Sequence, residues 1–210
     1  PEIRLKVVLS TGDSSVSPTL LDWNVTNDSS SEMLPNISFS MRGDKIIGQR
    51  SDDSLIYKYQ ENLQTNNLGT LLIDNLEWDN YSIIMDGVIT GYDIALSCAA
   101  QPVAVNPGSS VSTDIYLALH STHSLLAHVV DNNNVDVVGA NVNLYRVGGS
   151  NIVNITSLCG QTFFRDLSEG TVGEGNPYSI NVSANGYSTY IADDVNVSGA
   201  SNLKITLFPN

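Results

Sequence analysis

Thr65-Asn66-Asn67-Leu68-Gly69-Thr70-Leu71-Leu72-Ile73-Asp74-Asn75-Leu76 aligns without a gap on Thr156-Ser157-Leu158-Cys159-Gly160-Gln161-Thr162-Phe163-Phe164-Arg165-Asp166-Leu167. The two stretches share Thr, Gly and the closing Leu, and each keeps an apolar pair in register, Leu72-Ile73 and Phe163-Phe164. Each copy then reaches a Tyr-Ser-Ile segment (Tyr81 to Ile83; Tyr178 to Ile180) and a Gly-Tyr pair (Gly91-Tyr92; Gly186-Tyr187). A repeat of roughly 90 to 100 residues is too long for a solenoid unit and is the size of one small β domain. The 210 residues are therefore expected to form two homologous domains in tandem, 1–121 and 122–210, each large enough to bury a core. The boundary falls in His120-Ser121-Thr122-His123, between the last strand of one copy and the first of the next.

Strand periodicity dominates on both sides of these blocks. Ile3, Leu5, Val7 and Leu9 alternate with Arg4, Lys6, Val8 and Ser10, which predicts an opening strand with one apolar face. A Ser/Thr/Asn-rich stretch from Thr11 to Pro35, broken by Leu20-Leu21-Asp22-Trp23, is longer than a hairpin loop and is expected to cover a sheet edge or an end of the fold. Ile37, Phe39 and Met41 resume the alternation, Leu55, Tyr57 and Tyr59 continue it, and Ile115 to Leu119 close the first copy. In the second copy Leu125 to Val130 read as a strand, Asp131 to Asp136 as a turn, and Ala140, Val142 and Leu144 as an inner face. Phe163-Phe164, Tyr178 to Val182, Tyr190-Ile191 and Leu203 to Phe208 supply the rest, while Gly148-Gly149, Gly170, Gly173 and Gly175 punctuate loops.

Composition narrows the function classes. The formal charge is −13, split as −9 over residues 1 to 121 and −4 over the remainder, so no basic face is available to neutralise phosphates and nucleic acid is not expected as a partner. Asn, Ser and Thr are abundant while Lys and Arg are scarce, a balance common in secreted β proteins. No apolar run approaches the ~20 residues of a membrane span. No signal peptide precedes Pro1, so the expectation is a mature or excised exported segment, although a chain trimmed by design would read the same. The two cysteines, Cys98 and Cys159, fall one in each copy at non-equivalent positions, and in an exported chain an even count favours a disulfide linking the domains over two buried thiols.

Val129-Val130-Asp131, Gly139-Ala140-Asn141-Val142-Asn143-Leu144, Cys159-Gly160-Gln161-Thr162-Phe163-Phe164, Tyr178-Ser179-Ile180-Asn181-Val182 and Gly186-Tyr187 together resemble the carboxypeptidase regulatory-like domain. That family is a transthyretin-like or prealbumin-like, Ig-like β-sandwich related to the B-type repeats of Gram-positive adhesins. The resemblance covers nearly all of residues 124 to 208, and in the first copy mainly the part from Asn36 onward. Arg42 to Gly48 and Asn75 to Tyr81 are also similar to segments of surface proteins, some associated with type IV pili, from ultrasmall uncultured bacteria. The resemblance implies an all-β fold of two tandem sandwiches in an extracellular scaffold or appendage, and it carries no catalytic residues to transfer. Some related repeats form a Lys-to-Asn isopeptide bond promoted by an acid. Here the second copy has only Lys204, in its last strand, which argues against such a bond, whereas Lys6 with an acid such as Asp86 keeps it conceivable in the first.

Other residue patterns are weighed on their own chemistry. Arg42-Gly43-Asp44 is a tripeptide that integrins read at loop tips, but its strand-to-loop position explains Gly and Asp as turn formers. His120, His123 and His128 have no Cys or carboxylate at a recognised ligand spacing, so no metal site is expected. Asp131, Asn133 and Asp136 offer oxygens in one loop without the Gly and distal Glu of an EF-hand, which favours a plain hairpin turn over a calcium site. Asn-x-Ser/Thr sequons at Asn24, Asn27, Asn36, Asn80, Asn154, Asn181 and Asn196 are candidate glycosylation acceptors in an organism that has the transferase. No nucleophile elbow, phosphate loop or His-Glu-x-x-His pattern occurs, and neither enzymatic activity nor a cofactor is expected. The leading expectation is a non-enzymatic extracellular subunit of a surface appendage or filament that self-associates. The alternative is an adhesin-type module that grips a glycan or host surface protein through exposed aromatic residues such as Trp23 or Tyr57.

Overall fold

The computed structural model describes residues 3–10, 32–146, 149, 151–171 and 177–210. Residues 11–31, with Trp23, Asn24 and Asn27, lie outside the described residues, as do Gly148, Gly173 and Gly175. The chain divides into two compact units, Pro1–Ala118 and Leu119–Asn210. Both are all-β sandwiches.

The strands of the first unit are β1 (Ile3–Ser10), β2 (Glu32–Met33), β3 (Ser38–Gly43), β4 (Ile46–Gln49), β5 (Leu55–Tyr57), β6 (Gln60–Gln64), β7 (Thr70–Ile73), β8 (Asp79–Ile84), β9 (Tyr92–Cys98), β10 (Val103–Val105) and β11 (Ser110–Leu119), with a one-turn helix α1 (Gly87–Thr90) before β9. One sheet has the order β2-β1-β11-β9, with β7 also paired to β1, and the other has the order β10-β8-β3-β6. Alternation puts Phe39 and Met41 of β3, Tyr81 and Ile83 of β8, and Val103 and Val105 of β10 into one buried cluster with Ile115 and Leu117 of β11. The run Leu55, Tyr57, Tyr59 does not form one strand as expected. β5 instead pairs with β4 in a separate two-stranded hairpin, and Tyr59 lies between β5 and β6. The Tyr59 carbonyl accepts the Gly43 N–H, and its ring meets Tyr81 edge-on with centroids 5.4 Å apart, so this residue closes the base of the hairpin.

The second unit is more compact. It holds β12 (Ser124–Asp131), β13 (Asn141–Tyr145), β14 (Asn151–Ile155), β15 (Gln161–Phe164), β16 (Tyr178–Ser183), β17 (Tyr190–Val195) and β18 (Ala200–Leu207), in sheets of order β15-β12-β18 and β14-β13-β16-β17. Ala140, Val142, Leu144, Ile180, Val182 and Ile205 are completely buried between the sheets.

The repeat read from the sequence is a repeat of structure. In each copy the leading Thr fastens the loop before the central strand. Thr156 Oγ1 donates to the Val137 carbonyl and accepts from the Ala140 N–H, as Thr65 Oγ1 donates to Leu34 and accepts from Ile37. Gly69 and Gly160 both have positive φ, and a Cβ on Gly160 would lie 2.6 Å from the Val129 carbonyl oxygen. Asn75 (φ 59°) and Asp166 (φ 54°) make the same left-handed turn and deliver Leu76 and Leu167 to their cores. Of each apolar pair one residue points inward: Phe164 is buried and Ile73 packs on its core, whereas Leu72 is exposed.

Two differences separate the copies. The short pairing of Tyr187 with Pro209 beside β18 corresponds in place to the full strand β9 beside β11. The first strand is also reversed. β12 runs parallel to β18 and antiparallel to β15, whereas β1 runs antiparallel to β11 and parallel to β7. β1 and β12 thus occupy the same slot with opposite polarity.

Candidate functional site

Among the described residues many polar side chains are directed at nearby backbone. At the turn after β12, Asp131 Oδ1 accepts the N–H groups of Asn133 and Val135, and Asn134 adopts a left-handed conformation (φ 61°). The Val135 and Asn133 N–H groups hold the Asp131 carboxyl below its ordinary value of 3.8. Asp136 instead reaches His128, whose Nε2 lies 2.7 Å from Asp136 Oδ1. Asp131 is therefore engaged by the N–H groups of its own turn and Asp136 by His128, while Asn133 takes part as a donor. Among the described residues no group of His, Cys, Asp and Glu is placed to hold a metal ion. His123 contributes its carbonyl, which accepts the Ser121 hydroxyl and the Leu167 N–H.

A polar cluster lies at the base of the β4–β5 hairpin. Lys45 sits with its ammonium 3.3 Å from the Trp78 ring centroid, donates to the Trp78 carbonyl, and pairs with Glu77 at 3.3 Å. Lys58 joins from the other side of Glu77 at 2.5 Å. Lys58 first, and then Lys45, hold the Glu77 carboxyl below its ordinary value of 4.5. Tyr81 donates its hydroxyl to the Glu77 carbonyl, and burial pushes its phenol up to about 12, so it remains a donor. Such a set fixes a hairpin to a sheet. In the sequence Lys45 falls within the Arg42 to Gly48 segment and Glu77, Trp78 and Tyr81 within the Asn75 to Tyr81 segment, and the pair of lysines, 45 and 58, flanks one hairpin.

The Arg42-Gly43-Asp44 tripeptide is not displayed at a loop tip. Arg42 and Gly43 end β3, the Arg42 guanidinium lies 4.2 Å from the Tyr57 ring centroid, and a Cβ on buried Gly43 would meet Asp79 Oδ2 at 2.5 Å. Tyr57, half-buried, thus has one face covered by Arg42, as Trp78 has by Lys45. Asp86 caps α1 by accepting the Val88 and Ile89 N–H groups, and Lys204 donates to Asn134 Oδ1 at 2.9 Å in an exposed bond. Among the described sequons Asn36, Asn80 and Asn196 are exposed. Asn154 and Asn181 are half-buried, and the Asn154 amide donates to the Phe163 carbonyl. Cys98 and Cys159 are both disulfide-bonded, and neither thiol is free.

No family model matches the chain, and no curated protein does. Solved structures to which it is similar include a double mutant of the shaft pilin SpaA from Lactobacillus rhamnosus GG, at 10% identity over 100% of this chain and 98% of that one, with a TM-score of 0.32. The minor pilin GBS52 of Streptococcus agalactiae matches at 12% identity over 98% and 96% of the two chains, with a TM-score of 0.30. The TIE protein of Bacillus anthracis matches at 13% over 82% of this chain and 34% of its own, with a TM-score of 0.33. Similarity at that level carries no argument about role. Among the described residues no helix is long and apolar enough to cross a membrane.

Proposed function

We propose that the chain is a non-enzymatic structural subunit of an extracellular surface appendage, built of two tandem carboxypeptidase regulatory-like sandwiches whose copies associate into a filament. The observation that carries this reading is where the polar side chains go. Thr65, Thr156, Asp131, Glu77, Tyr81 and Asp86 fasten turns, a hairpin base and a helix cap, which is the work of a scaffold. The oxidised state of the cysteines fits a compartment outside the reducing cytoplasm. Measuring native size over a range of concentrations, by light scattering and electron microscopy, tests the reading. Polymers that lengthen with concentration are expected, and a stable monomer throughout would overturn it.

The Cys98 to Cys159 bond is proposed to tie one repeat covalently to the other. Alkylation of the denatured, unreduced chain should leave its mass unchanged, and two alkyl groups should appear only after reduction. Uptake of two groups without reductant would rule the bond out.

A further inference from the structure

The first strand of the first unit is held differently from its counterpart. β12 passes into β13 through residues 132–140, a turn closed by bonds from the Asp131 N–H to Val135 and from the Val137 N–H to Val129, so the local connection dictates its polarity. β1 is separated from β3 by 27 residues (11–37), three times the length of that turn, and its polarity is the reverse. Residues 32–37 take over the role of the missing turn: Leu34 and Ile37 bind Thr65 just as Val137 and Ala140 bind Thr156. From β2 onward, then, the first unit builds its second sheet and its turns without residues 1–10. What it lacks is the strand between β11 and β7. On the β11 side that slot is eight residues long, with Thr113, Ile115 and Leu117 buried, and its register sets Val7, Leu5 and Ile3 opposite them.

We propose that β1 is a donated strand: in the assembled protein it fills this slot in the next copy, head to tail, and the self-filled arrangement is the monomer. The proposal rests on the filament reading above. Strand addition obtains affinity from main-chain bonds and specificity from alternate side chains, and the β1–β11 register supplies eight residue pairs with Ile, Leu and Val at every second position. Reach is sufficient. The 21 residues between Ser10 and Glu32 span up to about 70 Å when extended, against about 35 Å for the diameter of a compact domain of this size. The pairings are the same in both arrangements, so concentration decides between them. A link of this length holds a chain's own strand at an effective concentration in the millimolar range. Dilute chains therefore close on themselves, and crowded chains exchange. A reciprocal swap would end as a closed dimer, whereas head-to-tail donation leaves a free strand at one end and a free slot at the other, and so continues to grow.

Val8 and Ser112 are Cα partners in the β1–β11 register, Ser112 is exposed, and the native cysteines are disulfide-bonded. Chains carrying Val8→Cys and chains carrying Ser112→Cys are mixed, assembled and treated with a short bismaleimide, in parallel with the doubly substituted chain. The mixture should give covalent dimers containing one chain of each kind. The doubly substituted chain should give a ladder of multimers that dominates above about 1 mM and collapses to intrachain links on dilution. Polymers with only intrachain links would overturn the exchange and leave the filament reading standing. Covalent dimers alone from the doubly substituted chain would overturn head-to-tail donation. A monomer at every concentration would overturn both. Lys6→Cys with Asp114→Cys, also directly opposite, serves as the second pair should Val8→Cys fail to fold.

Discussion

Phe164→Ala is expected to destabilise the second unit by about 3 to 5 kcal/mol, the range for deleting a fully buried aromatic side chain from a packed core. Phe164 is 1% exposed and belongs to the cluster that includes Leu125, Val142, Ile180 and Ile205. Phe163, its neighbour, is only half-buried, because successive residues of a strand face opposite ways. Phe163→Ala should therefore cost clearly less. Chemical denaturation of the two variants checks the pair. Equal losses at both positions would mean that the register of β15 is not the one described.

Thr156→Val should cost about 1 to 3 kcal/mol for each buried backbone group it leaves unpaired. Two are at stake, the Ala140 N–H and the Val137 carbonyl, and Ala140 is completely buried. Val nearly preserves the shape of Thr, so the loss reports the hydrogen bonds rather than a cavity. Thr65→Val, whose partners Leu34 and Ile37 are only partly buried, should show the same effect in the first unit with a smaller magnitude. Thermal unfolding monitored by near-ultraviolet circular dichroism would read both. An unchanged midpoint for Thr156→Val would show that these two groups find other partners.

The features legible in the sequence were those that depend on a single residue's neighbours along the chain. Alternation located Phe39 and Met41 in one core and Ala140, Val142 and Leu144 in the other. The shared Thr, Gly and Leu announced the common turn, because a left-handed glycine and a loop-fastening threonine leave a fixed spacing. β14 carries no clean period, since Ile152, Val153 and Ile155 are divided between a partly buried face and an exposed one on an edge strand. The repeat does not predict β9, because its counterpart in the second copy has shrunk to one bridge at Tyr187 and aligning the copies gives no strand to match. The polarity of β1 could not be read at all. An apolar stripe at every second residue is the same whichever way the strand runs, and only pairing to distant residues distinguishes the two.

That distant pairing also sets an order of events during synthesis. Lys6 pairs with Asp114, and the whole of β1 pairs with residues 110 to 117. At about 5 to 20 residues per second, β11 leaves the ribosome roughly 5 to 20 s after β1 does. β1 is thus made well before its longest partner, and during that interval only the shorter β2 and β7 follow to pair with it, so its β11-facing edge stays open to whatever lies beside the newborn chain.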